Sequence, residues 1–175
     1  LIFMVRYNGA VYGHSAWASV SRKTLDIYVK NPTLTVAGAP SSVTLTPLLT
    51  GSTFEIVNGT GTHISSDWRV VRSDNGTLVW ESLGDTVNLT SINTAQLPKN
   101  TDLIFKVRYN SSMYGSSDWI EATGTTLDIY VENPTLTVSG YPNNITLTPT
   151  LSGSAFSIYN STDTHVSTDY RIVKV

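Results

Sequence analysis

Leu103-Ile104-Phe105-Lys106-Val107-Arg108-Tyr109 carries a large apolar side chain at every second position. A period of two marks a strand with one buried face, so Leu103, Phe105, Val107 and Tyr109 should point inward, with Lys106 and Arg108 outward. The run occurs twice. Leu1-Ile2-Phe3-Met4-Val5-Arg6-Tyr7 stands 102 residues upstream, and that offset holds without a gap from Leu1/Leu103 to Ser73/Val175. Of these 73 aligned positions, 42 are identical. A gap-free period of this length means duplicated domains rather than a solenoid of small units.

The remainder also reads as strand. Short runs rich in Val, Ile, Thr, Tyr and Phe are separated by Gly, Pro and Asn, and no capped run of helical period is present. The repeated pairs Asn31-Pro32 and Asn133-Pro134 mark the expected boundaries, because proline lacks a donor and stiffens a junction. They divide the chain into the last strands of one module (1–30), a complete module (31–132) and the first strands of the next (133–175). The chain thus reads as a slice of a longer polypeptide. The expected strands of the full module are A (Thr33–Val36), B (Val43–Leu49), C (Asp67–Arg72), C′ (Thr77–Glu81), E (Thr86–Ser91) and F (Leu103–Tyr109). Strand G lies within Trp119–Val131, and the Asn-Gly turn Ser73–Gly76 joins C to C′. Alternation turns Trp68 and Val70 inward on C, and Val87 and Leu89 inward on E. Seven short strands in ~100 residues is the pattern of an immunoglobulin-like β-sandwich. The expected fold class is all-β, with sandwiches in tandem.

Composition narrows the function. Charged residues make up 14% of the chain, against ~25% in an average protein, and the formal charge is -2. That balance gives no reason to expect nucleic acid or membrane insertion, and no apolar run approaches the ~20 residues of a membrane helix. Cysteine is absent, which excludes disulfides and thiolate metal sites.

Two stretches carry a family resemblance. Leu97-Pro-Lys-Asn-Thr-Asp-Leu-Ile-Phe-Lys-Val-Arg-Tyr109 resembles the E–F corner and F strand of fibronectin type III domains, and Gly115-Ser-Ser-Asp-Trp119 resembles their approach to strand G. That family often places a tyrosine where Leu103 stands, so the resemblance implies a corner held by packing alone. Asp163-Thr-His-Val-Ser-Thr-Asp-Tyr-Arg171 is similar to a subfamily found in phage tail and fibre proteins and in bacterial surface proteins. This fold hosts many tasks, so the resemblance speaks to fold before function.

Candidate chemistry is sparse. His63 and His165 each precede an aspartate by four residues, Asp67 and Asp169. Such a pair could serve acid–base chemistry or half a metal site. Zinc needs three or four ligands, however, and no second histidine is repeated between modules. The plainer reading has His63 and the hydroxyls of Ser65 and Ser66 organising the approach to strand C. Asp67 and Arg69, with their copies Asp169 and Arg171, are neighbours on one strand face and candidates for an interface. Tyr114 and Trp119 could stack on a sugar. Acidic and amide residues near the junction (Asp26, Asp128, Glu132, Asn133) could hold calcium, but Lys30 replaces Glu132 in the other copy and would repel the ion. Neither a cofactor nor a catalytic or metal site is expected. The structural core should be Trp68, Val70, Leu89, Phe105, Val107 and Tyr109.

The resemblance implies a structural, non-enzymatic repeat segment of an extended fibre. Its expected setting is extracellular, on a phage tail whose receptor-binding tip lies outside this segment. Homo-oligomers, trimers first, are implied by the phage-fibre resemblance, and a cell-surface receptor or glycan would be met elsewhere in the fibre. The other readings are a bacterial surface adhesin or filament subunit, and a carbohydrate-binding or spacer module of a secreted enzyme.

Overall fold

A computed structural model describes residues 1–174, and every regular element among them is a β-strand. The N-terminal stretch holds β1 (Ile2–Val5), β2 (Asn8–Gly9), β3 (Gly13–His14), β4 (Ala18–Ser21) and β5 (Tyr28–Val29). Then come β6 (Leu34–Val36), β7 (Leu48–Gly51), β8 (Ile56–Val57), β9 (His63–Arg72) and β10 (Leu78–Asp85). They are followed by β11 (Ser91–Asn93), β12 (Asp102–Ser111), β13 (Gly115–Ser116) and β14 (Ile120–Thr125). The C-terminal stretch adds β15 (Tyr130–Val131), β16 (Leu136–Val138), β17 (Leu151–Gly153) and β18 (Ile158–Tyr159). No helix among the described residues is long and apolar enough to cross a membrane.

Two sheets enclose the central core. The larger runs β10-β9-β12, with β13 and β14 both on β12, and the smaller runs β11-β7-β6. The alternation of β12 is realised: Leu103, Phe105, Val107 and Tyr109 are buried, and the residues between them are half-buried. The β9–β12 register sets Val70 opposite Phe105 and Trp68 opposite Val107. Val36, Leu49 and Ile92 meet this layer from the smaller sheet. Gly76 turns β9 into β10 at φ 71°, as the Asn-Gly pair requires. Tyr109 reaches between the sheets and its Oη donates to the Ser52 carbonyl at 2.6 Å. A Cβ at Gly51 would lie 2.1 Å from the Tyr109 hydroxyl oxygen, so a larger residue there would displace the buried tyrosine.

Three expectations fail. Strand B starts at Leu48, not Val43. Pro47 has no N–H to extend the ladder, and Val43 instead bridges Thr126 in parallel, donating to Thr125 at 3.2 Å and accepting from Leu127 at 2.8 Å. Strand E shrinks to Ser91–Asn93, with Ile92 as its inward residue. Val87 is 84% exposed and Leu89 only half-buried, so neither is core. The Asp85 carboxylate causes this: it accepts the N–H groups of Val87 at 2.9 Å and Asn88 at 2.7 Å, and this turn lifts the chain off the sheet. The corner around Leu103 is not held by packing alone. Thr126 Oγ1 accepts the Thr101 N–H at 3.0 Å and donates to the Pro98 carbonyl at 2.7 Å.

The Asp85 turn has a pH signature. The Asn88 N–H first, then the Asn88 side chain, lower its pKa to about 2 against the opposing effect of burial, with the Val87 N–H and Ser82 hydroxyl adding to the lowering. A depressed carboxylate stabilises the fold above its unfolded pKa of about 4 and loses that contribution as pH falls toward about 2. The stability gap between the native chain and Asp85→Ala should therefore narrow between about pH 4 and pH 2. Urea titrations across that range measure it, and a gap independent of pH would contradict this account.

Candidate functional site

The most distinctive built feature is a repeated five-residue segment and the contacts it makes. Leu25-Asp-Ile-Tyr-Val29 recurs unchanged as Leu127-Asp-Ile-Tyr-Val131. In both copies the last two residues form a short strand that pairs with a strand later in the chain. β5 pairs with β8, Tyr28 opposite Val57 and Val29 opposite Ile56. β15 pairs with β18, Tyr130 opposite Tyr159 and Val131 opposite Ile158. Asn58 at φ 56° donates its side-chain amide to the Asp26 carbonyl at 3.0 Å, and Asn160 at φ 57° does so to Asp128 at 3.1 Å. Asparagine tolerates this left-handed backbone better than most residues. Even the changed position keeps its contact: Lys30 pairs with Glu55 at 2.7 Å, and Glu132 accepts from the Ser157 hydroxyl at 2.5 Å.

The second copy is also held by residues that precede it. The Leu127 N–H donates to Val43 at 2.8 Å, and its carbonyl accepts from Asn100 at 3.1 Å. Lys99 Nζ donates to the Ile129 carbonyl at 2.7 Å. Residues 127 and 129 are thus tied upstream, and 128, 130 and 131 downstream. At the first junction Val29 is 2% exposed within the central core cluster, and Asn31 makes a two-bond contact with Asp118, at 3.0 and 3.2 Å. The exact repetition of the linker was the visible signal. Its partner β8, two residues inside a Gly- and Thr-rich loop, gives none.

Asp67 and Arg69, candidates for an interface, lie on the outer face of the large sheet, each with its own partners. Asp67 and Arg69 do not pair with each other. Asp67, its side chain 7% exposed, accepts from Arg108 Nε at 2.7 Å and from the Gly84 N–H at 2.6 Å. Burial raises its pKa, but those two bonds and the positive charge of Arg108 outweigh it, and the net direction is down. Arg69 pairs with Glu81 at 3.0 Å, an exposed contact worth about 0–1 kcal/mol. The guanidiniums of Arg108 and Arg69 lie 4.7 and 5.2 Å from the Trp119 ring centre, at cation–π distance. Arg6 and Trp17 repeat the contact at 4.8 Å. Tyr114, the other proposed sugar contact, lies at the linker: a Cβ on Gly59 would touch both its Oη and Ile27. Asp169 and Arg171 are exposed beside a groove in the C-terminal stretch.

His63 is arranged as a packing group. Its ring stacks on Phe54 at 4.6 Å and meets Tyr109 at 4.4 Å. Burial, opposed by the Ser65 backbone hydrogen bond, lowers its pKa, so the imidazole is neutral near pH 7. Its Nε2 lies 2.9 Å from Ser66 Oγ, which donates its own proton to the Leu89 carbonyl. The ring nitrogen therefore serves as donor rather than as base toward that fully buried serine. Asp67 is committed to Arg108 and Gly84, so the His–Asp pairing suggested by spacing is not formed. Among the described residues no group of three or more His, Asp or Glu side chains is placed to hold a metal ion.

No family model matches this chain, and no curated protein matches it. Among solved structures, CopC from Methylosinus trichosporium OB3b is similar with a TM-score of 0.36 and 18% identity, over 55% of this chain and 96% of that one. A score that low carries no argument about this chain.

Proposed function

We propose that this chain is a stretch of tandem immunoglobulin-like sandwiches of fibronectin type III kind, serving as the shaft of an extended fibre. The observation that carries the reading is the linker: two junctions use the same strand addition, the same asparagine contact and the same side-chain position at 30/132. A connection gripped from both sides suits a part whose work is to hold distance and direction. The sequence resemblance favours a phage tail fibre with its receptor-binding tip beyond this segment, assembled as a homo-trimer and exposed on the virion. A bacterial adhesin or filament subunit would use the same shaft. The carbohydrate-binding reading has less support, because Trp119 is already engaged by two guanidiniums and Tyr114 packs at the linker.

Antibodies against residues 31–132, applied to the source particles or cells under the electron microscope, test this. Labels spaced at regular intervals along a thin projection are expected. Labelling confined to a soluble secreted enzyme would overturn it.

A further inference from the structure

We infer that Asn75 is a self-modification site. The Gly76 nitrogen closes a succinimide on the Asn75 side chain, and water then opens it to isoaspartate or aspartate. The inference is independent of the fibre reading. Three Asn-Gly pairs occur, at Asn8, Asn58 and Asn75. Glycine after asparagine leaves the following nitrogen open to attack on the side chain, because no Cβ stands in the way. Asn58-Gly59 and Asn75-Gly76 are both followed by threonine. Their local chemistry is therefore nearly the same, and a difference in reactivity between them is set by the fold.

Asn75, Gly76 and Thr77 are exposed on the turn between β9 and β10, and a Cβ on Gly76 would meet nothing within 4 Å. The Thr77 N–H donates to Asn75 Oδ1 at 2.9 Å. That oxygen gains negative charge when a nucleophile adds to Cγ, so a fixed N–H there acts as an oxyanion hole. The Asn75 amide nitrogen, which is the leaving group, makes no hydrogen bond among the described residues. The restraint on the nucleophile is one bond, from the Gly76 N–H to the Arg72 carbonyl at 3.0 Å. At Asn58 the leaving nitrogen is instead tied to the Asp26 carbonyl at 3.0 Å, and the backbone is left-handed at φ 56°. Gly59 is also confined: Ile27 and Ile56 side-chain atoms stand 2.8 and 3.3 Å from where its Cβ would be.

In the reaction the Gly76 N–Asn75 Cγ bond forms and the Cγ–Nδ2 bond breaks. Ammonia leaves, carrying the proton from Gly76. Water then adds to one imide carbonyl, so no oxidant or reductant is needed. Opening at the backbone carbonyl gives isoaspartate, which routes the main chain through Cγ and lengthens the turn by one atom. That turn bonds the Arg72 N–H to the Thr77 carbonyl at 2.9 Å and pairs Arg72 with the Asp74 carboxylate at 3.1 Å. The extra atom disturbs the first contact, and the new carboxylate competes for the second.

Ageing the full 175-residue chain in mildly alkaline buffer, followed by trypsin and peptide sequencing by mass spectrometry, tests this. Cleavage after Arg6, Arg22, Lys30, Arg69 and Arg72 puts the three Asn-Gly pairs on separate peptides. In the folded chain Asn75 should convert about tenfold faster than Asn58, or more, because Asn58 must first break the bond from its leaving nitrogen. In strong urea the two rates should converge, since only the shared Asn-Gly-Thr sequence remains. Thr77→Pro removes the donor to Oδ1 and should slow Asn75 several-fold in the folded chain while Asn58 keeps its rate. The comparison of folded and urea-treated native chain needs no variant, so it stands even where proline perturbs the turn. Equal rates in the folded chain overturn the proposal. So does a difference that persists in urea, or an Asn75 rate that Thr77→Pro leaves unchanged.

Discussion

Alanine at Trp68 or at Phe105 should each lower the stability of the central module by about 3–5 kcal/mol. Both side chains are fully buried and lie in the layer where β9 and β12 face the smaller sheet. Phe105 packs opposite Val70 and Ala122, so its removal empties the middle of the large sheet's inner face. Trp68 loses in addition the bond from its indole Nε1 to the Asn88 carbonyl at 2.9 Å. A domain of ordinary stability has about 5–15 kcal/mol to lose, so either change brings it near the edge of folding. Urea unfolding followed by circular dichroism measures this. A loss below about 1 kcal/mol for either variant would mean that these side chains do not hold the core.

Val29→Asp should release the linker strand from the module that follows it. Val29 contributes the buried side chain of β5, and burying a valine is worth about 1.5–3 kcal/mol. A carboxylate there has no cationic partner inside the core cluster and must move to water, taking Tyr28 and Lys30 with it. Lys30 then offers a direct readout. In the native chain its N–H is bonded to the Glu55 carbonyl at 2.9 Å and its ammonium to the Glu55 carboxylate, so trypsin should cut after it slowly. In the variant that cut should become many-fold faster, while cleavage after the exposed Lys23 stays as it was. Equal rates at Lys30 in both proteins would show that β5 is not held.

The long strands were legible because one sheet face is buried and the other is not. β12 and β9 announce this with period-two alternation, and the turn between β9 and β10 with Asn75-Gly76. Where a single side chain redirects the backbone, alternation misleads. Thr86–Ser91 has the composition of a strand, yet Asp85 captures two of its N–H groups and turns Val87 outward. Pro47 cuts strand B in the same way. The linker's role was hidden for another reason: a two-residue pairing has no periodicity, and its partner is distant in sequence.

On the reading proposed above, successive modules are joined stiffly through a linker held from both sides. Because the chain has no cysteine, single spin labels can be introduced cleanly. Residues 25–29 followed by three consecutive copies of residues 30–131 keep Lys30 beside Glu55 and a Leu-Asp-Ile-Tyr-Val segment before every copy; with Asn75→Cys in the first and third copies, the label-to-label distance can be measured by pulsed electron spin resonance. One narrow distance is predicted, close to twice that found between adjacent copies. A broad distribution weighted toward short separations, as expected of freely jointed modules, would contradict the account.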